Sequence, residues 1–359
     1  MTARNTTLSV AGVLLALLLT VAFWLPVPYV TEEPGLTADT LGYDISASGR
    51  TTSTPVISFG PQVKTYPTTG ELRMTTVSVT NPASRVSLLQ AFGAWFNPKA
   101  ALLPRDVVYP PDQSVQQAEQ QTQVEMTGSQ STAKVAGLTE AGYRVKSYPQ
   151  VAAVVTGSPA DGQLQPGDHL VSIDGAPVTS SAAAVRAVQA KAPGEVISFD
   201  LLRGGKRTTA TVTAGSSTTS PGSAMVGISL ADGYSLPFPV SFHLARNIGG
   251  PSAGTMFALA IYDKLTAGDL TGGQVVAGTG AIGYDGAVGA IGGIQQKIVS
   301  AQDDGAAIFL VPATNCGEAV GADVNFDAIR LVKISTLDDA VSSLKTLARD
   351  PSAAVPSCP

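Results

Sequence analysis

The apolar and polar positions fall into stretches of different periodicity. Residues 8–25 form an almost unbroken apolar run of 18 residues, closed by Pro26 and Pro28. As a helix this run is about 27 Å long, enough to span a bilayer core. Within 45–136, residues 72–79 alternate as a strand and residues 114–136 are polar but helix-compatible. Residues 151–214 are short β-rich runs broken by Gly, Pro and Asp turns, with one amphipathic helix over about 180–190. Further on, strand and helix periods alternate. Residues 239–243 alternate as a strand, and Met256, Phe257, Ala260, Ile261 and Leu265 recur at helical spacing. Ile294, Ile298 and Ala301 mark the inner face of a helix over about 295–303. Residues 306–311 are a short apolar run suited to a buried strand, and Leu337, Val341, Leu344 and Leu347 outline a terminal helix. The expectation is an α/β (α+β) core beside a small β-rich module.

Charge adds topology. Arg4 and the amino terminus precede the apolar run, while Glu32, Glu33 and Asp39 follow it. The excess of positive charge inside then places the N-terminus in the cytoplasm and the body outside the cell membrane, as a single-pass protein. A cleaved signal peptide is the rival, but Val27-Pro28-Tyr29-Val30 offers no small-x-small cleavage site. The net charge of −5, with 14% of residues charged, carries no nucleic-acid footprint. Two cysteines and two scattered histidines have no metal-ligand spacing. In an oxidising compartment Cys316 and Cys358 can form one disulfide tying the C-terminal tail to the preceding domain; two free thiols are the alternative.

Candidate chemistry centres on Gly249-Gly250-Pro251-Ser252-Ala253-Gly254 and on Lys297, 45 positions after the serine. A serine among small residues lets a carbonyl approach the backbone, but its hydroxyl needs a base. With only His169 and His243 present, a Ser-His-Asp arrangement is poorly supplied. A buried lysine, its pKa lowered by desolvation, can take the role instead. The helical spacing after Ser252 predicts that the serine sits in the first turn of a helix, where unpaired N–H groups favour an oxyanion. Gly250 and Ala253 would support that turn. The bland alternatives are a helix cap and a solvated surface lysine.

These residues resemble the proteolytic domain of the Lon protease family, over roughly 225–348. Pro-Ser-Ala-Gly matches the family's nucleophile motif, Gly-Gly-x-x-x-Lys its base motif, and Thr279-Gly280 the Thr-Gly pair that precedes the lysine. The resemblance implies a Ser252–Lys297 dyad, a supporting role for Thr279, and ring-forming relatives, hence a homo-oligomer. Gly249 departs from the acidic residue usual in ATP-dependent members, and the chain has no Gly-x-x-x-x-Gly-Lys-[Ser/Thr] loop. The expectation is therefore a protease with no ATP and no cofactor.

The middle module resembles the PDZ domains attached to bacterial proteases, through Ser158-Pro159-Ala160, Pro166-Gly167-Asp168 and Ile173-Asp174-Gly175. Such domains take a peptide as an added strand. Gly142, Tyr143, Arg144 and Val145 are the loose match to the carboxylate-binding loop of that family. A spacer is the other reading. The expected plan is an anchor at 1–34, an N-terminal part of the protease domain at 35–135 and a PDZ-like domain at 136–215. A linker at 216–224, the proteolytic domain at 225–349 and a tail at 350–359 follow. The whole reads as a membrane-anchored, ATP-independent serine endopeptidase acting on exported or misfolded polypeptides. The alternatives are a tethered binding protein with an idle dyad and a protease dedicated to one membrane partner.

Overall fold

Residues 7–24 carry no charged side chain, and Ala3–Trp24 forms one helix, α1, whose apolar span is unburied. The computed structural model describes every residue except 1–2, 46–50, 218–221 and 245–247. Five residues after the end of α1 the chain enters a sheet: Tyr29–Asp39 (β1) pairs antiparallel with Glu71–Val79 (β2) and with Ala101–Pro104 (β3). Val30 and Glu32 are buried alternate positions of β1, so the expected anchor segment 1–34 is too long. Its end belongs to the sheet.

Leu88–Phe96 (α2) and Val115–Glu140 (α3) each begin with a capping box, Ser87 with Gln90 and Ser114 with Gln117. The polar sequence of α3 is stabilised by a buried face that includes Met126, Ser129, Ala133 and Leu138. Gly137 on that face lies where a Cβ would come 2.7 Å from the Ala258 carbonyl.

The chain forms two compact units, Met1–Tyr143 with Phe238–Pro359, and Arg144–Pro237. In the second unit, Lys146–Val154 (β4), His169–Ile173 (β5), Val196–Arg203 (β6), Lys206–Thr213 (β7) and Ile228–Ser235 (β8) form an antiparallel sheet ordered β7-β6-β5-β4-β8. Ser181–Gln189 (α4) packs against the same core, in which Leu170, Ile197, Phe199 and Leu201 are fully enclosed. Asp168 is buried and paired with the Arg203 guanidinium at 2.7 and 2.8 Å, which pins the Pro166-Gly167-Asp168 turn.

The expected boundaries of this unit need correction. Residues 225–237, assigned above to the proteolytic domain, carry β8, whose partner β4 lies in the second unit. Of the expected linker 216–224, residues 218–221 lie outside the described residues, while Gly215–Ser216 pairs with Ala224–Met225. The start moves too. At 136–143 the chain is the end of α3 and its cap, within the first unit.

Back in the first unit, Gly254–Leu265 (α5) precedes Val275–Gly278 (β9), Ile294–Asp303 (α6), Ile308–Pro312 (β10), Arg330–Ile334 (β11) and Leu337–Arg349 (α7). The described residues complete a six-stranded sheet, β11-β10-β9-β2-β1-β3, parallel from β11 to β2 and antiparallel beyond. Residues 256–261 of α5 are wholly buried, which explains its all-round apolar sequence. Cys316 and Cys358 are bonded, with their Cα atoms 5.1 Å apart. The tail is also held by Lys333 N–H on the Pro356 carbonyl at 3.0 Å.

Candidate active site

The site forms where β9 ends. Gly278 is followed by Thr279 and Gly280, at the carboxyl end of the parallel strands where open α/β sheets place ligands. Thr279 is fully buried. Its hydroxyl donates to the Ser252 carbonyl at 3.0 Å, and Gly280 N–H donates to the same oxygen at 2.8 Å. These bonds fix the turn carrying the serine against the end of β9.

Ser252 lies two residues before the first residue of α5, with Ala253 as N-cap. The expected first-turn placement is thus displaced outward, into the turn ahead of the helix. Gly250 adopts φ +85°, which the reversal into Pro251 requires. Gly249 meets Thr122, and a Cβ on Gly254 would lie 2.8 Å from both Ile282 Cγ2 and Ser129 Oγ. The small residues are therefore dictated by close packing. The Pro251 carbonyl accepts from Ser129 Oγ at 3.0 Å, and Gly250 N–H donates to Thr122 O at 3.1 Å, so α3 braces the Ser252 turn. Among the described residues, the N–H groups of Ser252 and Ala253 make no backbone–backbone hydrogen bond.

Lys297 is in the first turn of α6, where its N–H bonds to Gly293 O at 3.1 Å. Gly293 is left-handed, and a Cβ there would collide with Glu32 and Val77. That contact seats α6 tightly on β1 and β2. Lys297 is 2% exposed, and its Nζ donates to Thr279 Oγ1 at 3.3 Å. Burial pushes its ammonium down to about 8, while the Glu32 charge opposes the fall. Glu32 is itself raised by burial and drawn back by Lys297. No direct Ser252–Lys297 hydrogen bond is present among the described residues; the two share the wall of a cavity of about 510 Å³. The Pro34-Gly35-Leu36 bulge of β1 and residues 76–79 of β2 form its opposite side.

Glu32 is the participant that the sequence reading missed, having entered there only as a charge after the apolar run. The alternation of Val30 and Glu32 was the available signal. Of the expected Gly142, Tyr143, Arg144 and Val145, the first two have structural roles, and none of the four lines the apolar groove described below. Gly142, at φ +83°, ends α3 with Tyr143 N–H on the Leu138 carbonyl at 2.9 Å, a helix stop. Tyr143 packs edge-on against Phe238 with ring centroids 5.1 Å apart. The apolar groove of the second unit, about 290 Å³, instead lies between α4 (Ala184, Val185, Val188) and the segment Ala224 to Leu230. β8 is an edge strand there.

Family models match in two places. The PDZ domain model matches residues 123–214, and the model of the Lon protease (S16) C-terminal proteolytic domain matches residues 245–345. The chain pairs a PDZ domain with a Lon-type proteolytic domain. Ser252, Thr279 and Lys297 all fall within the second match. The PDZ match starts within α3 and stops short of β8. Among solved structures, the PDZ domain of the SdrC-like protein from Listeria monocytogenes is 25% identical, covering 23% of this chain and 87% of that one, with a TM-score of 0.22. A Geobacillus thermodenitrificans protein is 27% identical, covering 23% of this chain and 95% of that one, with a TM-score of 0.21. No curated protein matched the chain. The Lon-type domain at 245–345 supports a peptidase. Among the described residues one helix, Thr7–Trp24, is long and apolar enough to cross a membrane by length and composition, as an anchor or a signal sequence would be.

Proposed function

We propose that this chain is a membrane-anchored, ATP-independent serine endopeptidase in which Lys297 activates Ser252. One observation carries the reading: a buried lysine, its pKa lowered to about 8, bonds the threonine that holds the Ser252 turn, and both dyad residues face one cavity. The neutral amine of Lys297 takes the Ser252 proton as Oγ bonds to the scissile carbonyl carbon. The oxyanion meets the N–H groups of Ser252 and Ala253, and one such donor is typically worth about 3 kcal/mol. The lysine proton passes to the leaving nitrogen as the C–N bond breaks. Water then attacks the acyl ester, with Lys297 again as base, and releases Ser252. Thr279 orients the amine by accepting its hydrogen bond.

In the second unit, the edge strand β8 and the groove beside α4 would hold an extended polypeptide by strand addition. α1 would keep the body at the outer face of the cell membrane. Turnover of casein or a peptide by the full chain tests the reading: Ser252→Ala and Lys297→Ala should each abolish it while leaving the fold intact. Equal turnover in all three proteins would remove the dyad from the mechanism. The absence of a direct Ser252–Lys297 hydrogen bond favours a second reading, a tethered binding protein with an idle dyad. Labelling of Ser252 by a fluorophosphonate separates the two, because an idle serine stays unlabelled.

A further inference from the structure

The strongest unassigned feature is the outer face of α2. From Val86 to Asn97 the chain has no charged residue. Leu89, Phe92, Trp95 and Phe96 are 56%, 52%, 73% and 76% exposed, and they lie along one side of a short helix. In water such a cluster loses the free energy of burial, so it needs a cover. Its position identifies that cover. Leu88 N–H donates to the Leu25 carbonyl at 2.9 Å, and Pro26 and Val27 pair with Ser87 and Val86. α2 is therefore hydrogen-bonded to the chain one residue past the end of α1. Trp24, 81% exposed, closes α1 beside it.

We infer that α2 is a second membrane contact, lying in the headgroup–acyl boundary with its Leu89–Phe96 face in lipid. This rests on α1 entering the bilayer, because the end of a spanning helix brings α2 to that boundary. Trp and Phe suit the interface, and a helix lying flat buries its apolar face roughly 5–10 Å deep. A shallow apolar hollow between Val27, Phe92, Trp95 and Leu102 continues the surface. Attachment at two points restrains the first unit against swivelling about a single helix.

The chain has two tryptophans, Trp24 and Trp95, which makes the test direct. The full chain is reconstituted in phosphatidylcholine vesicles as Trp24→Phe, leaving Trp95, and as Trp95→Phe, leaving Trp24. With lipids brominated near the headgroup end of their acyl chains, Trp95 emission should fall at least about twofold, given the depth expected of an interfacial helix. Its quenching by aqueous acrylamide should fall as well. Quenching of Trp24 by lipid, with Trp95 unaffected, would keep the anchor and overturn the role of α2. Loss of lipid quenching at both would overturn both. Trp95 shielded from acrylamide but not quenched by lipid would mean a protein covers the face, which also overturns the proposal.

Discussion

The cavity around Lys297 and the groove beside α4 are built from different materials. The first is walled by residues 34–36 of β1 and 76–79 of β2 and holds one buried cation; the second is lined by Ala184, Val185, Val188, Phe199 and Ile228. A buried cation is costly, and in the proposed mechanism that cost serves the chemistry: the same desolvation that destabilises the ammonium makes the amine a base near neutral pH. An apolar groove lowers the free energy of whatever segment fills it, without altering any bond. The contrast predicts that the two sites can be damaged separately.

The largest effect belongs to the cavity. Ser252→Ala and Lys297→Ala should each reduce turnover of a short peptide by about 10⁴-fold or more, without an additive loss in the double variant. Assaying the three variants on one fluorogenic peptide checks this. Next comes the disulfide, which lies in the first unit only. Cys316→Ser with Cys358→Ser opens a loop with a sequence separation of 42, worth about 4 kcal/mol in the chain-entropy model. Calorimetry should show the first unit melting earlier while the second is unchanged.

In the groove, Val185→Glu places a charge on an apolar wall, and the affinity of an extended polypeptide should fall about tenfold or more. Short-peptide turnover should stay as it was; a parallel loss there would break the comparison. The subtlest test concerns stability. The folded Lys297 value of about 8 lies below the ordinary lysine value, so between the two the unfolded chain binds more protons. The penalty is complete below about pH 8 and is relieved as pH rises through that range. Lys297→Met should therefore abolish turnover yet raise stability by roughly 1–3 kcal/mol at pH 7. Denaturant titration of both proteins reads the difference.

What was legible in the sequence follows the same contrast. Ser252, Thr279 and Lys297 stood out as a set, because Pro-Ser-Ala-Gly, Thr-Gly and Gly-Gly-x-x-x-Lys lie in the order and spacing of the Lon-type motifs. The apolar run at 306–311 and the stripe of α7 were visible because each carries its own pattern, unbroken in the one and helical in the other. β8 was not, since its partner β4 lies about 80 residues earlier and its own polar content suggests no core. The PDZ resemblance instead pointed to Gly142–Val145, ahead of the first core strand. In this fold the strand that lines the groove comes last. Glu32 was missed for a related reason: its burial depends on α6 packing over β1, a contact between distant segments.

The most direct measurement of the central claim is the rate of Ser252 labelling by a fluorophosphonate across pH, on the full chain, with Lys297→Ala beside it. If Lys297 is the base, the rate should rise about tenfold per pH unit and level off near pH 8, and Lys297→Ala should be unlabelled. A profile with no inflection near 8, or labelling of Lys297→Ala at the full rate, would contradict a lysine-activated serine.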